Sequence, residues 1–160
     1  MFSKRKARFN SKRQASQVCY CLLIIGILTS FQMPPERLWE LFSTTKFTEK
    51  YNRTHGLYFY YPNFNAQLKG LEGKPVELQG FYIPLDLKQN TTIILSKYPM
   101  AECFFCGGSG PESVAMAHLK VPPSRKLKMD QIIKVRGILQ LNADDVEEMT
   151  FILKNAEIIN

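Results

Sequence analysis

From Lys74 to the end of the chain, apolar and polar residues recur in short runs that predict β-strands. The runs are rich in Val, Ile and Leu, several of them alternate with period two, and turn residues separate them. The predicted strands cover residues 76–84, 91–96, 113–121, 132–141 and 150–153, the last of which can extend to residue 159. Gly80 and Gly137 lie inside the first and fourth strands, where a coiled strand must bend. The pattern therefore predicts a mainly β fold with a small five-stranded OB-like barrel, and a β-sandwich is the alternative.

Ahead of these strands, the pattern predicts short N-terminal helices and an aromatic strand. Pro34-Pro35-Glu36 is typical of a helix start, because proline fits the first turn and an acid there suits the helix dipole. The apolar face that follows, which includes Phe42, is expected to close one end of the core. The aromatic run 56–61 has strand composition and is expected to end at Pro62, and residues 63–68 can form one or two helical turns.

Residues 1–32 have the order of a signal peptide or signal anchor. A nearly all-apolar run, Val18 to Phe31, follows a segment whose charged residues are all basic. These are Lys4, Arg5, Lys6, Arg8, Lys12 and Arg13. As a helix the run would span roughly 21 Å, which is short of the roughly 30 Å bilayer core and favours cleavage. Ser30 fits the small-residue pattern of signal peptidase poorly, so a retained anchor stays open.

This leader predicts an exported protein, located in the periplasm or at the outer face of the inner membrane. Residues 33–160 are then expected to form a single OB-like β domain. Nearly all of the formal net charge of +7 comes from the leader, because basic and acidic residues almost balance in the rest of the chain. A near-neutral domain argues against a nucleic-acid partner, since binding to phosphates depends on clustered positive charge. The predicted partners are the membrane, through the N-terminal segment, and an envelope transporter or other protein.

The pair Cys103 and Cys106 is the strongest candidate for chemistry. Their spacing places both sulfurs on one side of a turn, where they can share a metal ion or form a disulfide. Gly107, Gly108 and Gly110 follow and allow backbone conformations that other residues avoid. Three interpretations remain open: a structural disulfide, a site for Zn²⁺ or another soft ion, and a thiol–disulfide redox pair.

For the metal interpretation, His118 is the predicted third ligand beside Cys103 and Cys106. Met116 and His118 lie two apart on a predicted strand, and hence on one face, soon after the cysteine loop. Met116 and Met100 themselves are interpreted as core residues, because methionine commonly fills irregular gaps.

The redox interpretation is weaker because a reactive cysteine usually lies at a helix N-terminus, where the dipole lowers its pKa. The glycine- and proline-rich residues 107–111 do not easily continue as a helix. The carboxylates fall between the fourth and fifth predicted strands and indicate a solvated turn rather than a catalytic pair; they are Asp144, Asp145, Glu147 and Glu148. A binding or accessory protein is therefore favoured over an enzyme.

Three segments resemble a family of uncharacterised exported bacterial proteins with an OB-like barrel: Val76–Leu85, the loop Cys103–Glu112 (CFFCGGSGPE) and Val135–Leu141. The resemblance covers roughly residues 60–159 and depends mainly on the cysteine loop. It implies export, the barrel fold and a loose association with envelope metal transport, and it supplies no catalytic residue. The expected function is thus an exported, envelope-associated binding or accessory protein, metal-binding through the CxxC loop. The alternative is a periplasmic thiol–disulfide redox protein that uses the same pair.

Overall fold

The computed structural model describes residues 34–85 and 90–159, in which strands predominate. In chain order the elements are α1 (Pro35–Phe42), β1 (Lys46–Asn52), β2 (Leu57–Asn63), α2 (Ala66–Lys69), β3 (Pro75–Ile83), β4 (Thr92–Ser96), β5 (Val114–Leu119), β6 (Ile132–Leu141) and β7 (Phe151–Ile159). The predicted leader, residues 1–32, lies outside the described residues. Within the described part, none of the helices has the length and apolar character needed to cross a bilayer.

Strands β3 to β7 form a closed barrel in the order β3-β4-β5-β7-β6, with β6 pairing back to β3. β5 and β7 run parallel, and the other neighbouring strands run antiparallel. The parallel pair joins the third and fifth strands of the barrel, which is an OB-type arrangement. The prediction of a mainly β fold with a five-stranded OB-like barrel is confirmed, and the sandwich alternative is wrong.

The predicted strands differ from the observed ones only near their ends. The predicted strand 113–121 is two residues too long at its C-terminal end, since β5 stops at Leu119. The extension of the last strand to residue 159 is confirmed by β7. β7 contains an irregularity at Asn155, which has a φ of 49°. The pairing of β7 with β6 shifts in register between Arg136 and Ile138 of β6. That bulge is the kind of bend that closes a small barrel.

The barrel interior and one face of α1 share a single hydrophobic core. α1 begins with proline and carries Glu36 in its first turn, as the sequence predicted. The Phe42 ring stacks on Phe151 with centroids 3.8 Å apart. Trp39 Nε1 donates a hydrogen bond to the Gln79 carbonyl at 2.7 Å, so the helix is fixed to β3 by both packing and hydrogen bonding. The predicted role of this segment in closing the core is borne out by these contacts.

β1 and β2 form a separate two-stranded sheet outside the barrel. The prediction that Pro62 ends the aromatic strand is wrong, because Pro62 lies within β2 opposite Phe47. A strand with one free edge tolerates proline, since a missing N–H on that side breaks no ladder. Tyr51, Tyr58 and Tyr60 are each more than half exposed, so this hairpin presents aromatic rings to solvent.

Candidate functional site

The loop between β4 and β5, residues 97–113, covers the outer face of these two strands. Every residue of β4 after Thr92 is buried, which requires cover on both sides of the strand. Ile94 on β4 and Met116 on β5 pack with Ile83 and Cys103 in a small second core. Cys103 is thus one of the apolar contacts that hold the loop against the barrel.

The loop backbone is made of short 3₁₀ turns. They span Met100–Glu102, Phe104–Cys106 and Pro111–Ser113. The Cys103 carbonyl accepts hydrogen bonds from the Cys106 N–H at 3.1 Å and from the Gly108 N–H at 3.2 Å. These two bonds curl the chain around Cys103 and bring Cys106 back towards it.

Two glycines are required by this geometry. Gly107 has a φ of +77°, in the left-handed region that favours glycine. Gly108 lies against Glu102 so closely that a Cβ would come 2.6 Å from the Glu102 carbonyl oxygen. The structural role predicted for these glycines is therefore supported by one dihedral angle and one close approach.

Three further hydrogen bonds fix the two ends of the loop. The Met100 N–H donates to Asp130 Oδ1 at 2.7 Å, which ties the first turn to the segment before β6. The Lys97 N–H donates to the Ser113 carbonyl at 2.9 Å. The Ser113 hydroxyl, which is buried, donates to the Gly110 carbonyl at 2.7 Å. The cysteines thus lie on a tethered loop whose position is set by its neighbours.

Cys103 and Cys106 are free thiols in different environments. The Cys103 side chain is fully buried, whereas Cys106 is exposed. Loss of hydration raises the pKa of the Cys106 thiol, and the charge of Cys103 and a hydrogen bond with it add to the increase. The backbone bond from the Cys106 N–H to the Cys103 carbonyl keeps the two residues within one turn of each other.

The surroundings of the pair are apolar and rich in sulfur. Phe104 and Phe105 are 38% and 36% exposed and meet edge to face at 5.5 Å, so they flank the solvent side of the loop. On the inner side, Cys103 Sγ lies 4.0 Å from Met100 Sδ. Met116 and Met149 belong to the same small core. Sequence reasoning treated Met100 only as core filling, because its approach to Cys103 depends on the 3₁₀ turn between them.

His118, on β5, forms hydrogen bonds with residues outside the cysteine loop. Its Nδ1 lies 3.1 Å from Thr92 Oγ1, and its Nε2 lies 2.9 Å from Glu148 Oε2. Lys154 Nζ completes this cluster 3.4 Å from the other Glu148 oxygen. The predicted third ligand is thus engaged at both ring nitrogens. Within residues 34–85 and 90–159, no three His, Cys, Asp or Glu side chains are grouped to hold a metal ion.

A separate groove of about 660 Å³ lies beside the barrel, away from the cysteine loop. It is lined by parts of β3, β6 and β7 and by the segment between β5 and β6. Two charged residues of its lining are already paired, Lys134 with Glu77 at 2.7 Å and Glu157 with Lys120 at 3.7 Å. The residues that line it include no cysteine and no histidine, so the groove lacks the thiol chemistry of the loop.

The cysteine loop is consequently the best candidate site. It offers one buried thiol, one exposed thiol and one thioether on a tethered segment. Such a set can bind a soft metal ion or undergo thiol chemistry. Comparison with protein-family models, curated proteins and solved structures finds no match for this chain, so the site is interpreted from its own geometry.

Proposed function

We propose that this chain is an exported, envelope-associated binding or accessory protein that binds a metal ion through Cys103 and Cys106. The observation that carries the proposal is the pairing of a buried and an exposed thiol on a glycine-dependent loop. Thiolates are strong ligands for Zn²⁺ and for softer ions. The resemblance of the CFFCGGSGPE loop to the exported family supports the same function.

The alternative, a thiol–disulfide redox protein, is less well supported by the electrostatics. A redox cysteine is activated by a lowered pKa, commonly at a helix N-terminus. Here the pKa of the exposed Cys106 thiol is raised by loss of hydration and by Cys103. The turn that contains Cys106 is a three-residue 3₁₀ turn, which provides little dipole.

Proton release is part of the proposed binding. Both thiols must lose their protons to become ligands, and the raised pKa of Cys106 means that the ion must displace that proton at neutral pH. Affinity should therefore increase as the pH is raised. It should fall steeply in acid, because protons compete for the same sulfur atoms.

Location and partners follow from the leader. Residues 1–32 would carry the domain to the periplasm or hold it at the outer face of the inner membrane. Cys106, Phe104 and Phe105 are exposed together, so an ion bound there is accessible to an envelope transporter or another protein. Protection of the domain from external protease in intact cells, lost once the outer membrane is opened, tests this location.

The metal proposal is tested by titration of the full-length protein in mild detergent, with bound metal measured by elemental analysis. Cys19 and Cys21 are first replaced by serine, so that only the loop thiols remain. We expect one ion per chain and loss of binding in Cys106→Ser. Cys106 is the better position for the variant because its exposed side chain contributes little to packing, unlike that of Cys103.

The matched control is Ala101→Ser, a change at an exposed position of the same loop that leaves both sulfurs in place. It should bind as much metal as the parent. Metal binding that survives Cys106→Ser would contradict the proposal. A disulfide that reforms readily, together with a thiol pKa below that of free cysteine, would favour the redox alternative.

A further inference from the structure

The sulfur atoms beneath the cysteine loop indicate which class of ion the site would take. Met100 Sδ and Cys103 Sγ lie 4.0 Å apart. The contact is set by the 3₁₀ turn Met100–Glu102, whose backbone bond from Cys103 N–H to the Met100 carbonyl measures 3.3 Å. The first turn of the loop is itself tied down through Asp130.

This separation suits two ligands of one ion. Two sulfurs each bound at about 2.3 Å, with an angle of about 120° between the bonds, are about 4.0 Å apart. Met100 and Cys103 therefore stand at a ligand–ligand distance without any change of backbone. Cys106 is exposed and lies in the turn whose N–H bonds to the Cys103 carbonyl at 3.1 Å, so it can supply a second thiol from the solvent side.

We propose that Cys103, Cys106 and Met100 form an all-sulfur site for a soft monovalent ion, Cu(I) or Ag(I). The inference rests on the proposed metal-binding function and specifies its ion. A thioether is a poor ligand for hard ions, and a mixed thiolate and thioether set selects Cu(I). His118, which would suit Zn²⁺, is held by Thr92 and Glu148 instead.

The binding step balances as an exchange of protons for the ion. One monovalent cation replaces the protons of the two thiols, which gives a bis-thiolate complex of charge −1 and two released protons. The Met100 thioether joins as a neutral ligand and changes no charge.

Met100→Leu tests the inference in the full-length protein with Cys19 and Cys21 replaced by serine. Cu(I) and Ag(I) affinities are measured by competition with a chelator under reducing, anaerobic conditions, and Zn²⁺ is titrated in parallel. We expect Met100→Leu to weaken Cu(I) binding about tenfold or more and to leave Zn²⁺ binding within about twofold. The matched control is Met129→Leu, since Met129 is 60% exposed and belongs to neither core cluster.

A spectroscopic measurement keeps the test decisive even if Met100→Leu folds poorly. X-ray absorption of the Cu(I) form of the selenomethionine-labelled parent should show sulfur ligands and a copper–selenium component, without nitrogen ligands. Copper bound by sulfur alone, with no selenium component, or unchanged Cu(I) affinity in Met100→Leu would overturn the role of Met100 and leave the proposed function standing. Zn²⁺ bound in preference to Cu(I) would overturn the choice of ion. Failure of the parent to bind any of the three ions would overturn both proposals.

Discussion

At the scale of single residues, Thr45 is the clearest unsatisfied group. Its side chain is 7% exposed, and Oγ1 has no hydrogen-bond partner within the described part of the chain. A buried hydroxyl without a partner is destabilising relative to a methyl group of the same shape. We expect Thr45→Val to raise the free energy of unfolding by about 1 kcal/mol, measured by chemical denaturation.

The neighbouring Thr44 provides the control, because its hydroxyl is satisfied. Thr44 Oγ1 donates to the Leu41 carbonyl at 2.7 Å and accepts from Asn65 Nδ2 at 2.7 Å. Thr44→Val should lower the free energy of unfolding by about 0.5 to 1 kcal/mol, since it removes these bonds. If Thr45→Val lowers the free energy of unfolding as much as Thr44→Val does, the Thr45 hydroxyl has a hydrogen-bond partner and the prediction is wrong.

The residues of the candidate site show what sequence can reveal at this scale. The spacing of Cys103 and Cys106 and the glycines after them singled out the loop, because these residue types have few other reasons to occur together. The contact of Met100 with Cys103 could not be predicted from the sequence. Methionine fills cores in most proteins, and its position relative to Cys103 is set by one short turn.

At the scale of elements, a charged cluster holds the strand pair that closes the barrel. Glu77 on β3 lies 2.7 Å from Lys134 Nζ and 2.6 Å from Arg136 Nη2, both on β6. Hydrogen bonds from Lys134 and then Arg136 lower the pKa of Glu77 below its ordinary value of 4.5. A carboxylate whose pKa is lower in the folded than in the unfolded state stabilises the fold above the unfolded pKa. That contribution disappears as the pH falls through the folded pKa.

Glu77→Gln should therefore lower the free energy of unfolding by up to about 1 kcal/mol at neutral pH, because the pairs are partly exposed. The difference from the parent should shrink below about pH 4.5 and vanish in stronger acid, as followed by urea denaturation across pH. Glu157→Gln is the control, since Glu157 and Lys120 are both about half exposed and lie 3.7 Å apart. A penalty for Glu77→Gln that stays constant down to strong acid would exclude ion pairing as its cause.

The elements differ in how well their sequence predicts them. β3 to β7 were predicted to within two residues or so at most ends, because buried strands demand runs of apolar residues with turn residues between them. The separate β1–β2 sheet was not predicted, since strand composition does not show which partner a strand will choose. His118 shares a strand face with Met116 as expected, but Thr92 across the pair and Glu148 from a later turn determine what it contacts.

At the scale of the whole molecule, the segment directly after the predicted leader is part of the core. α1 contributes Leu38, Trp39, Leu41 and Phe42 to the same cluster as the barrel interior. The barrel therefore has its complete core only with the residues that begin at Pro35.

This arrangement predicts that α1 and the barrel unfold together. Trp39 is the only tryptophan of the chain and is buried, so its emission reports the docking of α1, while far-UV circular dichroism reports the strands. In a protein that begins at Met33, both signals should show one denaturant midpoint. Phe42→Ala removes the ring that stacks on Phe151, so it should lower both midpoints together and reduce the free energy of unfolding by about 3 to 5 kcal/mol. Arg37→Ala, at an exposed position of the same helix, should change neither midpoint. A tryptophan transition that precedes the loss of strand signal would show that α1 is an independent appendage, and the barrel core would then be complete without it.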